Sequence, residues 1–137
     1  MKNQLNDYSC FEDFIVEEYI KPYSIQERCL LFSKSVVNFV KTTQYERVFT
    51  SMFDQLIRSS TSIGANVVES KSGSSKKDWL KFMIIALKSS NETIYWLRLI
   101  EETIVIDKQQ SKDLLIEANE LSNIIAKIII NAQKHNQ

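Results

Sequence analysis

SKKDWLKFMIIALKSSNETIYWLRLIEET, residues 75–103, contains neither glycine nor proline and keeps one regular apolar spacing. A seven-residue repeat with a and d positions runs through Leu80, Met83, Leu87, Ser90, Ile94 and Leu97. Ser75 and Asp78 have the spacing of a capping box, in which the serine hydroxyl accepts a backbone N–H three residues later. The stretch therefore predicts a long amphipathic α-helix that ends near Thr103.

This helix also carries a second apolar stripe beside the repeat, formed by Trp79, Phe82, Trp96 and Leu99. A second nearly continuous apolar surface is predicted between Ile124 and Ile130 of the last helix. One bundle interior cannot cover all of these faces. Two interpretations remain open: the N-terminal segment covers part of this surface, or the surface is an interface between subunits.

Three more helices are predicted outward from residues 75–103. The first begins at the Ser24–Glu27 capping box and runs to about Thr42, and the second follows a polar break and ends near Glu69 or Ser70. The fourth begins at Asp107, after the β-branched break at residues 104–106. Their predicted inward positions are Ile25, Cys29, Phe32, Val36 and Phe39 in the first helix, Phe49, Met52, Phe53, Leu56, Ile57, Ile63 and Val67 in the second, and Leu114, Ala118, Leu121, Ile125, Ile128 and Ala132 in the fourth.

The chain has only two glycines and one proline, too few for the tight turns of a β-rich fold. Short connections between long helices make neighbouring helices antiparallel. We therefore expect an all-α fold, an antiparallel up-down-up-down four-helix bundle over residues 24–137. Residues 1–23 form a predicted N-terminal extension with a short amphipathic helix that carries Phe11, Phe14, Ile15 and Tyr19.

Composition narrows the possible functions. The 137 residues have a formal net charge of zero, so no global field attracts nucleic acid or anionic lipid. The N-terminus lacks the pattern of a signal peptide, and no apolar run approaches the ~20 residues that span a bilayer. We expect a cytoplasmic protein that does not contact a membrane.

Catalytic and metal chemistry lack the residues that they require. The only histidine is His135, which leaves no Glu-x-x-His pair for a di-iron bundle and no base for a serine or cysteine nucleophile. Cys10 and Cys29 stand apart, with no spacing typical of a zinc site. The sequence predicts no catalytic residue, no metal and no cofactor.

RSSTSIGAN, residues 58–66, is a run of small and hydroxyl-bearing residues in the middle of the second predicted helix, where a neighbouring backbone could approach closely. Together with the start of the third helix, it resembles the four-helix-bundle proteins encoded in intervening sequences of bacterial 23S ribosomal RNA genes. The matching positions are Leu56, Arg58, Ser62, Ile63, Gly64, Asn66, Glu69, Ser75, Lys76, Lys77 and Asp78. The resemblance extends from about Ser24 to the C-terminus.

The resemblance implies a homopentamer, and a related branch of the family binds the reverse transcriptase and template RNA of diversity-generating retroelements. We expect a non-enzymatic, homo-oligomeric interaction or scaffold module whose partner is itself or another protein. Its candidate interaction residues are Arg58, Asn66, Glu69, Lys76 and Lys77. An equally open structural role has Asn66 bonded to a facing backbone and Glu69 paired with Arg58 or with a lysine across the bundle.

The alternative function is that of a nucleic-acid-binding accessory protein of the retroelement type, which binds RNA and a reverse transcriptase. Its candidate phosphate-binding residues are Lys71, Lys76, Lys77, Lys81 and Lys88. Asp78 and Glu69 dilute this positive charge, and the chain as a whole is neutral. The module is therefore the favoured prediction, and RNA or DNA binding is the alternative.

Overall fold

A computed structural model describes residues 24–135 of the chain. Four α-helices occupy most of this range: α1 (Ile25–Thr42), α2 (Thr50–Lys71), α3 (Lys76–Thr103) and α4 (Lys108–Lys134). One turn of 3-10 helix, Arg47–Phe49, leads into α2. The all-α class is confirmed, whereas the helix predicted within residues 1–23 lies outside the described residues.

The predicted capping residues begin three of the helices. Ser24 and Glu27 form the full capping box at α1, where Ser24 Oγ accepts from the Glu27 N–H at 3.2 Å. Ser75 accepts from the Asp78 N–H, and Asp107 from the Gln110 N–H. Each cap satisfies a backbone donor that the first helical turn leaves without a partner, so these boundaries follow from local chemistry.

Contacts between facing residues show that consecutive helices are antiparallel. Residues late in α2 meet residues early in α1, and residues early in α2 meet residues late in α1: a Cβ at Gly64 would lie 3.0 Å from Cys29 Cβ, and the Phe39 and Phe53 rings lie 6.4 Å apart. Contacts join α1 to α2, α2 to α3, α3 to α4 and α4 to α1. The helices form an up-down-up-down bundle in which α1 and α3 occupy opposite corners.

All four helices contribute a heptad-spaced face to one core. The predicted inward residues of α1 and α4 are all buried. In α3, Met83, Ser90 and Leu97 are buried as predicted, whereas Leu80, Leu87 and Ile94 are half-buried and pack against the core edge. The buried seam of α3 runs instead through Trp79, Met83, Ala86, Ser90, Thr93, Leu97 and Ile100. Apolarity alone favours the larger side chains over Ala86 and Thr93.

Candidate interaction site

A seam of small hydroxyl side chains joins α2 to α3. Ser62 Oγ and Ser89 Oγ lie 2.9 Å apart, and Thr93 Oγ1 lies 3.0 Å from Ser59 Oγ and 2.7 Å from the carbonyl oxygen of Ser89. Ser59, Ser89 and Thr93 are buried, and these bonds satisfy their hydroxyl groups. The small residues at positions 58–66 therefore let α2 and α3 approach closely, as the sequence predicted.

The other side of the same segment faces α1. A Cβ added at Gly64 would lie 3.0 Å from Cys29 Cβ, so glycine permits the close approach of these two helices. Cys29 has no exposed surface, and its burial, reinforced by the charge of Glu117, raises the pKa of its thiol to about 12. The thiol is therefore protonated and unreactive near neutral pH.

Asn66 bonds to the backbone of its own helix rather than to a facing backbone. Its Nδ2 donates to the carbonyl oxygen of Ser62 at 2.8 Å and lies 3.0 Å from Ser62 Oγ, so its bonds stay within α2. Arg58 and Glu69 are both exposed, but eleven residues of helix separate them by about 16 Å. Arg58 and Glu69 therefore cannot pair within α2, and a lysine partner for Glu69 stays a prediction.

Residues at the turn from α2 to α3, where the family-like positions continue, form hydrogen bonds within the bundle. Ser74 Oγ donates to Asp78 Oδ2 at 2.6 Å, which lowers the pKa of that carboxyl. Lys76 Nζ donates to the carbonyl oxygen of Ala132 at 3.0 Å, where its charge also complements the negative end of the α4 dipole. Lys76 therefore links α3 to α4, whereas Asn66 bonds within α2. The structure does not gather the five candidate residues into one site.

The lysines of the alternative function divide into two groups. Lys77, Lys81 and Lys88 are exposed along α3, and Lys71 is exposed at the end of α2. Lys76 is half-buried and already bonded to α4. A basic face of three α3 lysines thus exists, with the end of α2 beside it.

An ion-pair cluster between α1 and α4 was not predicted from the sequence. Arg28 binds Glu117 through two hydrogen bonds, Nε to Oε1 at 2.7 Å and Nη2 to Oε2 at 3.0 Å, and it also pairs with Glu120. The hydrogen bonds that Arg28 donates to Glu117 raise the pKa of Arg28. No local signal marks this cluster, because Arg28 and Glu117 lie 89 residues apart in the chain.

The outer face of α3 carries apolar and acidic residues in its C-terminal half. Glu92, Tyr95, Leu99 and Glu102 recur at helical spacing and form what we call the α3 stripe. Tyr95 is 59% exposed, and its ring packs edge-on against Trp96 at 5.1 Å. A cleft of about 410 Å³ opens here, and its lining includes Ile94, Tyr95, Arg98 and Leu99.

The predicted second stripe of α3 thus proves only partly external. Trp79 is 5% exposed and belongs to the core, whereas Phe82, Trp96 and Leu99 are half-buried. In α4, Ile124 and Ile129 pack into or against the core, which leaves Ile130 exposed. The bundle core therefore buries, fully or partly, most of the apolar side chains that the sequence predicted on these two outer surfaces.

Within residues 24–135, no group of three or more histidine, cysteine, aspartate or glutamate side chains is arranged to hold a metal ion. Among the same residues, none of the helices combines the length and the apolar composition that a membrane span requires. The buried hydroxyl of Ser111 is the one buried side-chain polar atom in the described region that lacks a hydrogen-bond partner.

Fold and site together define a small antiparallel four-helix-bundle protein that presents charged and apolar outer faces. A model of the family described as 23S rRNA-intervening sequence protein matches residues 21–127. The chain belongs to this family, which confirms the resemblance found in its sequence.

A solved structure supports the same assignment. The crystal structure of a protein of unknown function from the S23 ribosomal protein family of Bacteroides thetaiotaomicron VPI-5482 is 35% identical to this chain, with a TM-score of 0.69. The match covers 77% of this chain and 97% of that protein. No curated protein matches significantly.

Proposed function

We propose that this protein is a non-enzymatic interaction module that works as a homo-oligomer. The observation that carries the proposal is the α3 stripe, where exposed Tyr95 and half-buried Leu99 stand between two exposed carboxylates. An aromatic and apolar centre with a charged rim is the usual composition of a protein interface. The family resemblance, which implies a homopentamer, supports a second copy of the chain as the partner.

The contacts of the bundle support a structural rather than a catalytic use of its polar residues. The buried hydroxyl groups at the contact of α2 with α3 bond to one another or to backbone, and Arg28 pairs with two glutamates. Cys29 is buried with a raised pKa, so it does not supply a nucleophile. The surface of the molecule, rather than an internal site, is the part available to a partner.

Light scattering tests the proposal. One chain has a mass of 16.0 kDa, and wild type should have the mass of two or more chains at micromolar concentration. Replacing Tyr95→Glu together with Leu99→Glu should shift the mass towards the monomer, because two charges would then be buried at the contact. A wild-type mass of 16.0 kDa across this concentration range would refute the proposal.

The matched control is Val105→Glu, which also places a carboxylate on an exposed apolar residue. Val105 is 95% exposed and lies between α3 and α4, away from the stripe. This variant should keep the wild-type mass. Circular dichroism of all three proteins should show the same helicity, so that loss of assembly is separated from loss of fold.

Nucleic-acid binding is the second candidate function. Lys77, Lys81 and Lys88 are all exposed along α3, and this alignment favours contact with a phosphate backbone. Asp78 lies in the first turn of the same helix and reduces the local positive charge. The zero net charge of the chain keeps this function second to the oligomeric module.

A further inference from the structure

The outer face of α1 carries a stripe with the opposite charge to the α3 stripe. Leu30, Lys34, Val37 and Lys41 recur at helical spacing and form what we call the α1 stripe. All four residues are exposed, Leu30 by 57% and Val37 by 45%. The α1 stripe alternates apolar and basic residues, whereas the α3 stripe places two apolar residues between two acids.

The two stripes cannot meet within one molecule. Helices α1 and α3 occupy opposite corners of the bundle, because each packs mainly against α2 and α4. They also run in the same direction, since each is antiparallel to α2. A contact between an α1 stripe and an α3 stripe therefore requires two copies of the chain.

The interior contacts fix the height of each residue along the bundle. Cys29 faces Gly64 and Phe39 faces Phe53 between α1 and α2, and hydroxyl contacts tie Ser59 and Ser62 to α3. Both helices can be compared through α2. Each α1 residue lies at the same height along the bundle axis as the α3 residue about 59 positions later in the chain. One residue of helix corresponds to about 1.5 Å of height.

This register aligns the two stripes. Lys34 lies within about 1.5 Å of the height of Glu92, and Val37 within about 1.5 Å of the height of Tyr95. Lys41 lies within about 3 Å of the height of Glu102. Two opposite charge pairs and an apolar pair therefore come level without any shift along the bundle axis. Arg98, at the cleft beside the stripe, is the one basic residue among the residues that line that cleft.

We infer that the α3 stripe of one copy packs in parallel along the α1 stripe of the next. The inference rests on the proposed homo-oligomer and specifies how its subunits meet. Because the two surfaces differ, the contact is head-to-tail, and the level register repeats it without displacement along the bundle axis. Glu92 then pairs with Lys34 of the neighbouring copy, Glu102 with its Lys41, and Tyr95 packs on its Val37.

Charge reversal on each stripe tests this contact. One variant carries Glu92→Lys and Glu102→Lys, and the other carries Lys34→Glu and Lys41→Glu. Each should raise the dissociation constant of the oligomer by roughly tenfold or more, because two attractive pairs become repulsive. A chain that carries all four substitutions should assemble again, since its stripes are once more opposite in charge.

The control reverses two exposed charges that lie outside both stripes, Asp54→Lys in α2 and Lys112→Glu in α4. This variant should assemble like wild type. Equal amounts of the two stripe variants, mixed, should also form a complex, because each supplies the native stripe that the other lacks. A symmetric contact between two α3 stripes would instead leave the α1-stripe variant fully assembled.

The outcomes separate the two proposals. A monomeric wild type refutes the homo-oligomer itself. A wild-type oligomer whose assembly survives either stripe variant, or is not restored in the fourfold variant, overturns the stripe contact and leaves the oligomer standing. Sedimentation velocity measures all of these species, and circular dichroism checks that each variant remains folded.

Discussion

Gly64 and Cys29 set the separation of α1 and α2. The missing side chain at Gly64 gives Cys29 its room, and a Cβ there would already lie at 3.0 Å from Cys29 Cβ. Glycine inside a helix costs roughly 0.5–1 kcal/mol relative to alanine, so the close packing of the two helices offsets a local preference. The close approach of α1, rather than helix propensity, therefore accounts for the glycine at position 64.

We expect Gly64→Leu to lower the free energy of unfolding by about 1–3 kcal/mol, because a larger side chain must push α1 away. Urea denaturation measures the change. Ala65→Leu is the matched control, since Ala65 is the next residue and is exposed. It should change stability by less than about 0.5 kcal/mol. Equal effects of the two substitutions would contradict the close-contact explanation.

Cys29 should make the bundle sensitive to alkaline pH. Burial raises the pKa of its thiol from 9.0 to about 12, so between these values the unfolded chain loses the proton and the folded chain keeps it. The contribution of the protonated Cys29 thiol to the free energy of unfolding is therefore complete below pH 9. Above pH 9 the free energy of unfolding falls by about 1.4 kcal/mol for each pH unit within this window. Urea denaturation at pH 8 and pH 10.5 measures the loss.

The control for this pH effect is Cys29→Ala, which keeps every other titrating group. It should be less stable than wild type at pH 8 because a buried side chain is truncated. The difference from wild type should shrink at pH 10.5, since only wild type has the buried Cys29 thiol to ionise. A constant difference across the two pH values would show that Cys29 ionises equally in both states.

At the scale of elements, α1 and α4 are joined by the Arg28 cluster. Their mutual contact is the least extensive of the four neighbouring pairs in the bundle. The two-pronged Arg28–Glu117 bond therefore supplies a directional link where packing is smallest. The side chains of Arg28 and Glu117 are 26% and 29% exposed, so water screens the pair only partly.

A double-mutant cycle with Arg28→Ala and Glu117→Ala should give a coupling energy of about 1 kcal/mol. Thermal or urea unfolding of the four proteins provides the measurement. The coupling should fall in 1 M salt, because partly exposed charges are screened. A coupling of zero would show that the Arg28–Glu117 pair adds no stability, and the same cycle with Glu120→Ala would then measure the Arg28–Glu120 pair.

At the scale of the whole molecule, a neutral chain separates its charges by face and by height. Along α3, lysines occupy the N-terminal half, and Glu92, Glu101 and Glu102 occupy the C-terminal half. The outer face of α1 carries Lys34 and Lys41 at the height of those acids. Such a distribution favours oriented association with an identical neutral partner over general attraction to polyanions.

We expect wild type to show no salt-sensitive RNA binding at micromolar protein. If Lys77, Lys81 and Lys88 did contact phosphates, affinity would fall steeply with salt as condensed counterions are released. Fluorescence anisotropy at salt concentrations from about 50 to about 200 mM measures this dependence of affinity on salt. A titration that is abolished by Lys77→Glu, Lys81→Glu and Lys88→Glu together would establish nucleic-acid binding instead. Lys76 is left unchanged because it bonds to α4.

Local chemistry determined the helices. The side chains of Ser24, Ser75 and Asp107 bond to backbone donors three residues away, so capping could be predicted without knowledge of any partner. The inward faces of α1 and α4 followed from strong contrast between apolar and polar positions. The family assignment likewise rested on a linear order of residues around Gly64 and Ser75.

Only the tertiary structure decided which small residues form the α3 seam and what the family-like positions do. Ala86 and Thr93 are both buried, and Thr93 bonds there to Ser59 of α2. Lys76 and Asn66 serve internal bonds. The pairing of Arg28 with Glu117 and the common height of the two stripes depend on contacts between distant segments. Helical periodicity fixes which residues share a face, whereas the neighbour of that face is set by packing between helices, which no local pattern encodes.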